Sequence, residues 1–240
     1  MPAWLDKLRG AADNPDTAVY KSIRAASKTW FDKIIQHPAS KPFDIVKAAK
    51  KLALSVQDRT VVFEDENEQA MLMDFYLLDY RPDGKSVAES CLFASGELTP
   101  VEAEWHQAFL ASRTSLFEIA AVHNHEPKIL LRDRLNQTAS ELWLTDLGLS
   151  DSFRRIGAKA LLFTRVVSLR GLHITGGFSF VFDPKHESQL VDGYRWEMWS
   201  VRQSRQNCRR TGFFLGLNRK FGLAQEHADV VPPAGSGGAA

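Results

Sequence analysis

Cysteine is scarce in this chain of 240 residues: Cys91 and Cys208 are the only two. Two thiols cannot build a disulfide framework or a cysteine zinc site, and a reducing cytoplasm is the expected compartment. No apolar run reaches the roughly 20 residues that span a bilayer, and the N-terminus lacks the charged-then-apolar order of a secretory signal. Catalytic signatures are missing as well. There is no Gly-x-Ser-x-Gly elbow, and Gly176-Gly177 lacks the glycine pattern of a dinucleotide fold. Gly84-Lys85-Ser86 has the end of a phosphate loop, but the first glycine of that motif would fall on Asp79, after a helical pattern where a strand is required. No cofactor is implied.

What is present is the composition of a globular protein, 44% hydrophobic and 25% charged. The formal net charge of +1 is unevenly spread. Residues 1–57 carry ten basic against five acidic side chains, 58–104 three against twelve, and 184–225 eight against three. Basic flanks around an acidic middle are expected to pair in part inside the fold, leaving some basic surface for an anionic partner.

The stretch from Ser115 to Phe182 organises the rest. Ser115 to Val122 and Lys128 to Arg132 read as a hairpin around His123 to Pro127. Thr138 to Thr145 alternates Leu142 and Leu144 against Glu141, Trp143 and Thr145, and Lys159 to Leu169 is rich in Leu, Phe and Val. Leu172 to Phe182 puts Ile174, Phe178, Phe180 and Phe182 on one face, with Gly171 for a turn and Gly176-Gly177 for a bulge. Short connections make antiparallel pairing the expectation. The predicted class is α+β: a small antiparallel sheet or partly open barrel of about five strands, covered by N-terminal helices and a long C-terminal helix.

Four parts follow: a mainly helical 1–113, the β unit 114–183, a basic helical segment 184–225 and a disordered tail 226–240. Before the β unit, a short amphipathic turn carries Trp4, Leu5 and Leu8, and helices are predicted from Asn14-Pro15-Asp16 to about Gln36 and after Pro42. Arg59 to Phe63 reads as a strand that extends the central sheet. Further helices run from Asp65 to Tyr80, from Lys85 to Ala94, and from the Thr99-Pro100-Val101-Glu102 cap.

Two patterns bear on function. In the helix after Asp183-Pro184, Arg195, Arg202, Arg205 and Arg209 fall within one arc beside an apolar stripe of Leu190, Tyr194, Val201 and Cys208. Trp196 and Trp199 flank the row on its other side. Arginine neutralises phosphate and indoles stack on bases, so these six residues are the expected surface for an anionic partner, nucleic acid or a ribonucleoprotein. Core tryptophans with arginines turned to acidic groups would instead mean a protein partner or plain packing. The second pattern is His123-Asn124-His125, whose imidazoles point to one side of an extended chain. With Asp133 or Glu118 they would form a metal site, and the protein would be a metal-dependent hydrolase. The leading expectation is a cytoplasmic, non-catalytic binding or adaptor protein.

Overall fold

A computed structural model describes residues 15–136, 140–156, 159–202 and 206–223. The turn at Trp4 to Leu8, the tail 226–240 and Arg205 lie outside the described residues.

Helix α1 (Pro15–Gln36) starts at proline and buries Tyr20, Ile23, Trp30 and Ile34. Lys21 and Lys28 face water as expected. Arg24 does not: its guanidinium turns to the barrel, donating to the Thr175 carbonyl at 2.9 Å and to Asp146 at 3.2 Å. Helix α2 (Ile45–Lys51) is capped by the Asp44 carboxylate, which accepts from the Val46 and Lys47 amides. Strands β1 (Ser55–Gln57) and β2 (Thr60–Val62) form a hairpin of their own. The expected edge strand at 59–63 is therefore not part of the central sheet. Asp58 and Arg59 both take positive φ, the geometry of a tight two-residue turn, which folds the segment onto the strand just before it.

The Asp65 cap opens α3 (Glu66–Leu78), which is buried nearly all round. Helix α4 is a single turn (Val87–Ser90) with a Ser86/Glu89 capping box, shorter than the pattern at 85–94 suggests. Cys91 leaves it in extended backbone and buries its thiol, and that burial pushes the thiol pKa up to about 11. Helix α5 (Pro100–Leu110) has the full Thr99/Glu102 capping box.

Glu102 also ties α5 to α1, accepting from Lys33 at 2.7 Å and Thr29 at 2.6 Å. Burial works to raise the pKa of this carboxyl, but hydrogen bonds from Lys33, Thr29 and Thr99 outweigh it and hold it at about 2. A carboxyl depressed in the folded state stabilises the fold fully above its ordinary value of 4.5, and that contribution disappears as pH falls toward 2. E102Q is expected to cost about 1.5–3 kcal/mol at neutral pH and far less near pH 2. Urea unfolding at both pH values checks this; an equal cost at both would contradict it.

The barrel follows. Strands β3 (Arg113–Val122) and β4 (Lys128–Asp133) make the predicted hairpin, and β5 (Leu142–Thr145) pairs with β4. Helix α6 (Leu147–Ile156) then crosses to β6 (Leu161–Leu169), which pairs with β3 and with β7 (Leu172–Phe182). The order β5-β4-β3-β6-β7 closes on itself through a parallel contact of Leu144 with His173. A fourth strand returning beside the first of three makes this a Greek key. The neighbours are antiparallel as expected; the closing contact is parallel because five strands that alternate in direction around a ring bring the first and last together running the same way. Thr164 pairs with Ser179 but Val166 with Thr175, so Arg165 faces the bulge at Gly176-Gly177.

The barrel interior holds Phe117, Ile119, Leu131, Leu144 and Leu162, with Phe153 of α6 among them. Its outer face carries Ile174, Phe178, Phe180 and Phe182 into a larger core shared with α1, α3, α5 and two C-terminal helices. Those are α7 (Glu187–Met198) and α8 (Gln206–Phe221), followed by a short strand β8 (Gly222–Leu223) on β7. The C-terminal cover is thus two helices rather than one. In a straight helix, Phe214 would lie roughly 30 Å beyond Tyr194. Folded back, Tyr194 packs on Phe213 and Phe214 at centroid distances of 6.2 and 5.7 Å, and Leu190, Val191, Phe214 and Leu215 all enter one core.

Buried charge joins the layers. Arg165 donates to both oxygens of Asp74 at 2.8 and 2.9 Å and to Asp79 at 2.5 Å. Burial pushes the Asp74 carboxyl up to about 6 against the pull of Arg165. Glu68 receives Arg219 through two bonds of 2.6 and 2.9 Å. The acidic middle of the sequence is in this way paired with cations from both flanks.

Candidate functional site

Helix α7 presents the most unusual surface among the described residues. Leu190 and Val191 point inward, which leaves the opposite arc of the helix to water. Trp196 and Trp199, one turn apart and so on one face, are 84% and 91% exposed. Trp30 and Trp105, by contrast, are each 2% exposed. Two indoles left almost wholly in water forfeit the burial that normally places tryptophan inside.

The arginines around them are distributed differently from the expected row. Arg195 lies on the same helix and reaches Asp192 at 3.3 Å. Arg202 is exposed in the segment after α7. Arg209 belongs to α8 and reaches back to an ion pair with Glu197. The helix break therefore turns one row into a patch built from two helices and Arg202, which follows the first of them. Its charge is mixed, since Asp192 and Glu197 sit among the cations.

The histidine motif lies on the loop between β3 and β4. His123 Nδ1 accepts from the Glu126 amide at 2.9 Å, and its ring meets Trp143 edge-on at 5.8 Å. The Nδ1 nitrogen is thus occupied by the turn itself. Asp133 stands at the far end of β4, about 16 Å along the strand from Lys128. There it accepts from Ser115 at 2.6 Å and from the Leu135 and Asn136 amides at 3.0 and 2.9 Å. Glu118 is engaged with Arg132 and Arg134. His123, His125 and Asp133 are not brought together. Among the described residues no group of three or more His, Cys, Asp or Glu side chains is placed to hold a metal ion. No described helix is long and apolar enough to cross a membrane.

A family model described as "Family of unknown function (DUF7986)" matches residues 15–227. The chain belongs to DUF7986. The match runs from the start of α1 past the end of α8, so the barrel, its helical cover and the tryptophan face all fall within the family's span. No curated protein and no solved structure matches the chain.

Sequence reasoning found the α7 residues but missed Trp143, which stands 41% exposed on the outer face of β5. The signal was available: a tryptophan on the polar side of an alternating strand is not explained by the core.

Proposed function

We propose that this member of DUF7986 is a non-catalytic binding module that docks on a partner protein through the Trp196–Trp199 face of α7. The exposure of both indoles carries this reading. Contiguous exposed apolar surface marks interaction sites, and Trp and Arg dominate the energetic centres of protein interfaces. The partner that fits has an apolar depression for two indoles and a rim of both signs, to meet Arg195 and Arg202 as well as Asp192 and Glu197. The interspersed acids favour a protein over a polyanion, which would meet them as like charges.

Comparison of the full chain with its W196A/W199A variant in quantitative capture from native extract tests the proposal. The expected result is a defined protein enriched by the wild type and reduced at least tenfold by the variant, a loss of about 1.4 kcal/mol or more. Both side chains are exposed, so thermal stability should be unchanged. Identical enrichment profiles would contradict the proposal. Salt-sensitive retention on an RNA column that R202E/R209E abolishes would replace it with the nucleic-acid reading.

A further inference from the structure

A cleft of about 970 Å3 opens at the rim of the barrel, where the ends of β4, β5 and β7 meet the corner between α5 and β3. It lies near the start of β7, whereas α7 follows its end. Trp143 lines the cleft, its ring oriented by the edge of His123. Arg113, Lys128, Glu141, Arg170 and His173 also line it.

The electrostatics of these groups decide what the cleft suits. Lys128 is bound to Asp16 at 2.8 Å and Glu126 at 2.6 Å. Arg170 clamps Glu104 with two bonds of 2.6 and 3.0 Å. Arg113 meets Asp133 at 3.3 Å, and Glu141 receives Arg132 at 2.6 Å. His173 bonds Ser168 at 2.7 Å, and burial lowers its pKa, favouring the neutral ring. Each charged group lining the cleft already has an opposite charge beside it. A phosphate would meet a carboxylate's charge beside every cation it approached, so a polyanion gains little there.

A neutral ligand with adjacent hydroxyls meets the opposite situation. Donors of Arg113, Lys128 and Arg170 line the same cleft as the acceptors of Asp16 and Glu141, an array that neighbouring hydroxyls satisfy without breaking a pair. The indole offers a flat apolar platform for the C–H face of a pyranose ring, with a volume that accommodates several sugar units. We infer that this cleft binds a neutral oligosaccharide stacked on Trp143. The inference is independent of the docking surface on α7.

Calorimetric titration of the full chain with malto-, cello-, manno- and chitotetraose, and separately with a deoxythymidine decamer, tests it. At least one tetraose is expected to bind with an affinity that changes less than about twofold between 50 and 500 mM salt. W143A should weaken that binding at least tenfold, while W196A/W199A leaves it unchanged. E141A, at the exposed rim, supplies a second reading in case W143A fails to fold, with at least a threefold loss expected. Absence of binding to every tetraose at about 10 mM, a barrier roughly at the weak end of measurable affinity, would overturn the inference. So would W143A and E141A titrations that match the wild type, or binding of the decamer alone with an affinity that falls as salt rises.

Discussion

R165M is expected to lower the free energy of unfolding by about 3–5 kcal/mol, the range for removing one member of a buried ion pair. Arg165 sits on β6, is almost wholly buried, and bonds two carboxylates on the helical layer, Asp74 and Asp79. Methionine fills much of its volume but leaves two carboxylates in a poorly hydrated interior. The cost comes from the buried acids left without their guanidinium, Asp74 above all since Asp79 still accepts from the Asn207 amide at 2.6 Å, rather than from lost attraction, and this distinction can be tested. The triple variant R165M/D74N/D79N should lose less stability than R165M alone, although it carries more substitutions. Chemical denaturation of the wild type and the two variants decides the matter. A triple variant less stable than R165M would show that the ion triad contributes directional bonding that amides cannot replace.

The same site explains a glycine. A Cβ on Gly176 would stand 2.9 Å from the Arg165 Cβ and 3.1 Å from an Asp74 oxygen. The bulge at Gly176-Gly177 is thus where β7 gives way for the guanidinium to pass to α3.

The second large effect concerns the barrel interior. F153A is expected to cost about 3–5 kcal/mol, as for other large-to-alanine changes in packed cores. Phe153 comes from α6, not from a strand, and is buried among Phe117, Ile119, Leu131 and Leu162. Five strands enclose a space that their own side chains and this ring fill together. A loss below 1 kcal/mol, measured by the same denaturation, would mean that the barrel closes without α6.

The strands were legible because one face of each is buried and the alternation survives in the residues. Ile174, Phe178, Phe180 and Phe182 fall on one face in sequence and in the core alike. Two helix caps were legible for a local reason: Asp65 and Thr99 each sit beside the amides they satisfy, whereas the second helix, expected from Pro42, is capped at Asp44. Helix α6 was not, although Asp146 accepts from the Leu149 amide at 3.0 Å as a cap would. Gly148 near its start and its short length make it read as a loop between strands. The break between α7 and α8 has no proline to announce it; it is imposed by one core claiming both helices.

The candidate surface was legible only in part. Periodicity places Trp196 and Trp199 opposite Leu190 and Tyr194, but it does not say whether another layer covers them. The separation of Asp133 from His123 is likewise a matter of strand length, invisible in a motif of adjacent letters. Arg24 illustrates the converse: it shares a face with Lys21 and Lys28 in sequence, yet Asp146 and Thr175 draw it inward.

The most direct test of the docking surface is photo-crosslinking of the full chain in its native cell, with benzoylphenylalanine placed singly at 196, at 199 or at the exposed control position Arg155. The account predicts one protein adduct common to positions 196 and 199 and absent at 155. Adducts to nucleic acid alone, or the same adduct pattern at all three positions, would contradict it.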